Sequence, residues 1–407
     1  MIDLVFVISP TNRNSFAALG GVLDRFASFD KYFKLRIIDE EQVLKEQASE
    51  KEKIFCFSFQ SFDVARIKTL LRQLKKKNQK AVLVAGGAHS SGNFEQTLKM
   101  GFDYVFVGEG EEVFLNFLKE YLSPKKDFNK IKGIAFKRKG KIFFTGKAEP
   151  VDITKFLPVS SKFPFFTPIE ITRGCPYGCY FCQTTYLFGK VRHRTIEQIK
   201  KSVEILVNNG WKKIRFVSPN ILAYGSADGL KPNLSQLEKM LMAVRKIKGA
   251  ERVYAGSFPS EIRPEQVTKK ALLLLKKYAD NDNLIIGLQS GSNSVLERMH
   301  RGHTVEQGVR AIKTALQAGF KVNADFIFAS PGETKKEEQE TIEILKQLMK
   351  LPGVRIHGHT FMPLPGTPWE KEKPGRISKQ LREALEELEK SGKLYGDWQE
   401  QEKFKES

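Results

Sequence analysis

The 407-residue chain is poor in cysteine (four), histidine (six) and tryptophan (three). So few cysteines exclude a disulfide scaffold, and three of the four crowd into positions 175–182, which is a ligand pattern and not a bridging one. No stretch reaches the roughly 18–20 uncharged apolar residues that a membrane span requires. The opening MIDLVFVISPTN has no basic leader and carries Asp3 within its apolar run. It reads as a first buried strand and not as a secretion signal, so the expectation is a cytoplasmic protein. Acidic residues are scarce too: 67 Lys plus Arg face 47 Asp plus Glu, a formal charge of +20. Such an excess attracts RNA or anionic small substrates. A Lys-rich solvated surface explains it as well, and the scatter of the basic runs (75–80, 125–138, 190–194, 212–215) favours that reading. With 41% hydrophobic and 28% charged residues, wholesale disorder is excluded.

At roughly 100–200 residues per domain, the length implies two or three domains. Over 1–125, β-rich runs at 4–8, 33–38, 53–57, 81–85 and 104–107 alternate with amphipathic stretches such as 64–77. That is an α/β pattern, and five strands with helices between them suit a flavodoxin-like, doubly wound domain. Ligands of such sheets sit beyond the carboxyl ends of the strands, here the loops 9–15, 58–61, 86–91 and 108–111. Residues 126–166 read as a β-hairpin (131–146) turning at Lys139-Gly140, then an extended linker with Pro150, Pro158 and Pro164. A second strand–helix alternation fills 167–370, with strands expected at 169–172, 213–217, 252–256, 284–288, 322–328 and 354–361. Six βα units are too few for a closed eight-stranded barrel, so a partial (βα)6 barrel is expected. A helix at 379–390 and a frayed polar tail complete 371–407.

The chemistry concentrates in Cys175-Pro-Tyr-Gly-Cys179-Tyr-Phe-Cys182, directly after IEIT and Arg173-Gly174. Three thiolates on one loop can face one metal centre. A closed zinc site needs a fourth ligand, for which His193 or His89 is available. An iron–sulfur cluster on three cysteines leaves one iron open to an external ligand. Cys56, inside IFCFSF, reads as a core residue.

This cysteine motif, with an aromatic residue before its last cysteine and a partial barrel around it, resembles the radical S-adenosylmethionine (SAM) superfamily over roughly residues 165–370. The resemblance implies that Cys175, Cys179 and Cys182 hold a [4Fe–4S] cluster whose open iron chelates SAM. A low-potential donor such as ferredoxin or flavodoxin then drives cleavage to a 5′-deoxyadenosyl radical. It further implies SAM contacts from Phe181, Ser218, Asn220, Ser257, Gln289, Ser290 and Arg301. Val217-Ser218-Pro219-Asn220 departs from the superfamily's Gly-Gly-Glu, and Gln289 stands where many relatives carry an acid.

In the first domain FCFSFQS (55–61), VAGGAH (84–89), GFDY (101–104) and GEGE (108–111) resemble the cobalamin-binding domain that precedes this barrel in a large subfamily. Implied contacts are Ser58, Gln60, Ser61, Gly86, Gly87, Gly108 and Glu109, with Gly86 and Gly87 leaving room for the ligand. No Asp-x-His-x-x-Gly motif is present, so no histidine of this domain is expected on cobalt. The alternative is a domain that keeps the fold and binds no cobalamin.

No catalytic residue follows from spacing alone. His357 and His359 are two apart on an expected strand and share a face; they contact substrate, take a proton, or merely bond at a strand end. Arg263 in SFPSEIRP would hold a carboxylate or phosphate, or form a surface ion pair. The expected function is a cobalamin-dependent radical SAM enzyme that methylates an unactivated carbon. Its rivals are non-methylating radical chemistry (cyclisation, rearrangement or RNA modification) and a sensor without turnover. Methylthio-transferring relatives carry six cysteines in their pattern, whereas this chain has four in all.

Overall fold

The computed structural model describes residues 1–47, 50–163 and 167–403. Pro164, expected within the linker, lies outside them. The chain divides into two compact units, one built on residues 1–167 and the other on 168–363 and 367–403.

The first unit is a sheet of β1 (Ile2–Ile8), β2 (Phe33–Asp39), β3 (Lys53–Ser58), β4 (Val82–Gly86), β5 (Tyr104–Phe106), β6 (Ile134–Arg138) and β7 (Lys141–Phe144). Their spatial order is β2-β1-β3-β4-β5-β6-β7. The first five pair in parallel, in the 2-1-3-4-5 order of flavodoxin-like folds. Parallel strands with helices on both faces must be apolar on both faces, which is why IDLVFVI and KIFCFS read as near-continuous buried runs. One face packs Phe6, Phe16, Phe114 and Phe117; the other packs Phe55, Phe57, Leu71 and Phe102. Cys56 is buried in the first of these cores, and burial alone raises its thiol pKa well above the ordinary range. The hairpin forms as expected and extends this sheet, β6 pairing antiparallel with β5. Lys139 and Gly140 both take positive φ (50° and 77°), as a two-residue turn of this hand requires.

The second unit holds β8 (Ile169–Glu170), β9 (Thr172–Arg173), β10 (Arg192–His193), β11 (Lys213–Val217), β12 (Arg252–Tyr254), β13 (Asn283–Gln289), β14 (Lys321–Phe328), β15 (Val354–Thr360) and β16 (Leu394–Tyr395). Parallel pairings run β8-β11-β12 and β13-β14-β15-β16. A parallel bridge from Ile262 to Ile286 joins the two groups. This is the expected open barrel. The first expected strand, 169–172, breaks after two residues, because the chain turns to pair β9 antiparallel with β10. Three of the outer helices start with a Thr whose side chain bonds the third helical residue reciprocally: Thr195 with Gln198, Thr304 with Gln307, Thr334 with Glu337.

One expectation fails. The tail is not frayed over 394–402: β16 pairs with β15, and Trp398 is fully buried. Thr360 fixes the segment, its Oγ1 donating to Trp398 O at 2.8 Å and its N–H to Gln401 Oε1 at 2.9 Å. A short polar helix conceals this in sequence, because a single Trp carries the burial. Trp398→Ala should therefore destabilise the second unit by about 3–5 kcal/mol. Denaturant unfolding would check it, and a change within error would mean the segment is only loosely attached.

Candidate active site

The cysteine loop hangs from an ion cluster. Glu170, at the end of β8, accepts from Arg173 Nε and Nη2, both at 2.8 Å, and from Arg194 Nη2 at 3.0 Å. Burial would raise its pKa, but the two guanidiniums outweigh burial and hold it at about 2. Arg173 is thereby fixed one residue before Gly174. That glycine has φ +81°, and a Cβ there would stand 2.4 Å from Lys190 O, so only glycine passes. Beyond it the loop is laced to the following helix, Gln183–Phe188. Thr185 Oγ1 donates to Cys175 O at 2.8 Å, Gly178 N–H donates to Thr185 Oγ1 at 3.2 Å, and Tyr186 OH donates to Gly178 O at 2.8 Å. Tyr180 stacks on His300 with ring centroids 5.2 Å apart.

Cys175, Cys179 and Cys182 all line one cavity of about 380 Å³, within the size range of small-molecule sites. Arg301 Nη1 lies 3.6 Å from Cys179 Sγ, and Thr184 Oγ1 lies 3.3 Å from Cys182 Sγ. Burial raises the Cys175 thiol and pushes Cys182 up to about 11, so without a bound metal centre these thiols favour the protonated form at neutral pH. Among the described residues no three His, Cys, Asp or Glu side chains close on a single ion. The zinc alternative loses His193, whose Nδ1 pairs with Thr172 Oγ1 and Nε2 with Ser226 O, each at 2.9 Å. Three cysteines free of disulfides lining one cavity, with a guanidinium beside them, suit a cluster.

Phe181, Ser218, Gln289, Arg301, Arg263 and His359 share that cavity. Gln289 reaches it from a left-handed backbone, φ +74°, at the end of β13. Arg301 Nη2 donates to Gly287 O at 2.9 Å, and a Cβ on Gly287 would meet that nitrogen at 2.5 Å. Arg263 does not offer a free guanidinium. It donates from Nε to Glu265 at 2.5 Å and from Nη2 to Arg301 O, and it lies 3.4 Å over the Tyr177 ring. Its place is to position Arg301. Asn220, Ser257 and Ser290 are outside the lining. Asn220 Nδ2 donates to Gln266 at 2.8 Å, Ser257 is buried, and Ser290 Oγ accepts from Ser292 N–H at 3.1 Å. His357 also stands behind the wall, its Nδ1 3.0 Å from Asp325 Oδ1.

Sequence reasoning missed Glu170, Glu261 and Asp325, all of which line the cavity. Asp325 had a signal, a lone acid in the apolar run ADFIF; Glu261 and Glu170 had none.

In the first unit the strand-end loops interlock. Asn12 Nδ2 donates to Val7 O and Ser58 O, both at 3.0 Å, and Ser61 Oγ pairs with His89 Nδ1 at 3.0 Å. Gly86 and Gly108 have nothing within 4 Å of an added Cβ, which leaves the open approach a large flat ligand needs. Gly87 differs from expectation. Its space is already filled, since a Cβ would stand 2.8 Å from Ser58 Oγ and 2.9 Å from Phe59 N. Ser58 and Ser61 are buried in loop packing, Glu109 is buried beside Gly108, and Gln60 is exposed. Ser90 Oγ is buried with no partner. The open glycines and this hydroxyl fit a bound cobalamin.

Comparison with known proteins agrees with both units. The radical SAM superfamily model matches residues 169–345, and the B12 binding domain model matches residues 19–118. The chain carries a radical SAM domain and a B12-binding domain. Its cofactors are accordingly a [4Fe–4S] cluster, SAM and cobalamin. It is similar in sequence to a tRNA-2-methylthio-N(6)-dimethylallyladenosine synthase of Clostridium novyi, 29% identical over 284 residues, which are 68% of this chain and 58% of that one. A threonylcarbamoyladenosine tRNA methylthiotransferase of Aquifex aeolicus is 27% identical over 323 residues, 78% of this chain and 73% of that one. The chain spans about half the length of other curated relatives, 49% for an Ehrlichia ruminantium synthase. In fold it resembles the radical SAM methyltransferase TsrM of Kitasatospora setae, with TM-score 0.65 and 15% identity over 91% of this chain and 77% of that one. It also resembles the cobalamin-dependent enzyme OxsB, with TM-score 0.63 and 18% identity over 96% and 55%.

Three outcomes follow for the two units. The Glu170 carboxyl titrates near 4.5 when unfolded and at about 2 when folded, so its contribution is complete above pH 4.5 and is lost as pH falls toward 2. Glu170→Gln should flatten the acid limb of thermal stability against pH in that window; an unaltered limb would show that the arginine grip is not stabilising. Gly86→Leu should abolish hydroxocobalamin binding in an optical titration while the fold persists. Gly87→Val should instead disrupt the turn, visible as a lowered melting temperature.

Proposed function

We propose that the chain transfers a methyl group to an unactivated carbon of its substrate. The observation that carries this reading is the union of one three-cysteine loop with a B12-binding domain, together with the fold likeness to a radical SAM methyltransferase. When bound, the cluster and SAM supply a 5′-deoxyadenosyl radical and cobalamin supplies a methyl carrier. The residues bind, orient and exclude water. Cys175, Cys179 and Cys182 would hold the cluster, and Phe181, Ser218, Gln289 and Arg301 would hold SAM in the cavity they share. Gly86, Gly108 and Glu109 would receive cobalamin at the strand ends of the first unit.

A second reading, modification of RNA, is favoured by the names of the curated relatives, which act on tRNA, and by the charge of +20. Methylthio transfer itself fits less well. Beyond the triplet, this chain offers only Cys56, buried in a hydrophobic core.

The test uses SAM with a labelled methyl group, cobalamin and a reductant, offered bulk tRNA or a metabolite extract under anaerobic conditions. Label on a substrate carbon, dependent on cobalamin, is expected. Label on sulfur, or 5′-deoxyadenosine without methyl transfer, would contradict methylation of carbon. Replacing any of the three loop cysteines by Ala should abolish 5′-deoxyadenosine formation, whereas Cys56→Ala should retain it.

A further inference from the structure

Among the described residues that line the cavity, His359 supplies the only imidazole, and the hydrogen bonds behind it fix where its proton sits. It lies in β15 with His357, their rings 4.2 Å apart and inclined at 70°. The C-terminal segment closes on both from behind. Tyr395 stacks on His357 with ring centroids 4.6 Å apart, and Gln401 Nε2 stands 3.3 Å from His359 Nδ1. An amide can turn over and exchange its oxygen for its nitrogen, but this one is pinned: Thr360 N–H donates to Gln401 Oε1 at 2.9 Å. A backbone N–H cannot accept, so the oxygen faces Thr360 and the NH2 group faces His359. An amide nitrogen only donates. His359 Nδ1 is therefore the acceptor, and in the neutral ring the proton lies on Nε2.

That N–H has no protein acceptor. Among the described residues the only hydrogen bond of the His359 ring is the one through Nδ1. His357 does not compete for the role, because its own Nδ1 lies 3.0 Å from Asp325 Oδ1 and it is outside the cavity lining. Burial, and then His357, lower the His359 pKa against the pull of Asp325 and Asp397, so the ring is neutral at pH 7. The cavity is thus lined by an uncharged donor held in one tautomer and braced by packing.

We infer that His359 is a specificity-determining residue whose Nε2–H donates to a neutral carbonyl oxygen of the substrate, with Gln401 as the positioning residue that sets its tautomer. A donor held this way favours an acceptor and leaves a substrate N–H or ammonium unpaired against it. Asp325 lines the same cavity, and its charge disfavours an anionic oxygen there. A ketone or amide oxygen therefore fits better than a carboxylate or a phosphate. This rests on the radical SAM reading of the cavity and names the substrate group within it.

The test uses the full chain with its cluster reconstituted and oxidised, carrying isotope-labelled histidine. NMR follows the ring nitrogens, and His359→Phe identifies the signals of His359. At pH 7 the proton should be on Nε2. Gln401→Glu keeps an oxygen for Thr360 N–H but sets an acceptor against Nδ1, and it should place a proton there. The probes are N,N-dimethylacetamide, its anionic counterpart isobutyrate, and the donor-only tert-butylammonium. The amide should shift the Nε2–H signal with millimolar affinity, isobutyrate should bind more weakly, and tert-butylammonium should leave the signal unmoved. By ligand-observed NMR, His359→Phe should weaken amide binding by about tenfold or more. His359→Gln, which keeps an N–H donor, should restore part of it, with circular dichroism confirming the fold. If a variant fails to fold, the wild-type tautomer and the ranking of the probes still decide. A proton on Nδ1 in the wild type, no binding of the amide, isobutyrate binding as tightly, or unaltered affinity in His359→Phe would each overturn the inference. So would displacement of the amide by SAM, which would assign this donor to SAM itself. SAM cleavage is followed in the same samples. Cleavage without amide binding defeats the carbonyl subsite alone, whereas amide binding without cleavage defeats the radical SAM reading alone.

Discussion

The grip of Arg173 and Arg194 on the Glu170 carboxylate is the interaction on which the site depends. A buried carboxylate is tolerated only when paired and fully bonded, and here the pairing ends the first barrel strand where the cysteine loop must leave it. Gly174 then turns the chain through a space that admits no side chain. Every later element of the site is placed against that fixed loop. Arg301 reaches Cys179 from the segment after β13, Arg263 braces Arg301, and the Gln183–Phe188 helix laces the loop from below. The grip is local, and so is its failure: protonating one carboxylate frees the residue beside Gly174.

One cavity gathers groups of both signs. Arg173, Arg263 and Arg301 line it with the three cysteines, each guanidinium bonded to a protein acceptor. Glu170, Glu261, Asp325 and His359 line it too, and β15 is braced by β16 and the Trp398 segment. The B12-binding unit contributes separately. At the carboxyl ends of its strands, Gly86 and Gly108 leave the backbone open, whereas Gly87 is packed against Ser58 and Phe59.

Much of this was legible in sequence because it is written locally. The cysteine triplet, the Lys139-Gly140 turn and the alternation of buried runs each depend on residues a few positions apart. The 2-1-3-4-5 order followed from the βα alternation, since short right-handed crossovers leave few other orders. What was not legible depends on distant pairing. Glu170 is gripped by Arg173 nearby but also by Arg194, 24 residues on. Glu261 and Asp325 line one cavity from distant stretches of chain. Gly87 looked open because a glycine's emptiness in sequence says nothing of what packs against it, and Ser58 and Phe59 already do. Trp398 hid in a polar tail because one aromatic cannot raise the hydropathy of its neighbours. Asn220 and Ser290 sit in the right loops but turn to protein partners, which spacing does not reveal.

The central claim is that three cysteines hold a cluster with one iron open to SAM. It is tested most directly by electron paramagnetic resonance of the reconstituted, anaerobically reduced full chain, recorded with and without SAM. The account predicts the signal of a one-electron-reduced [4Fe–4S] cluster whose g values shift when SAM is added. An unchanged spectrum, or no iron–sulfur signal at all, would contradict it.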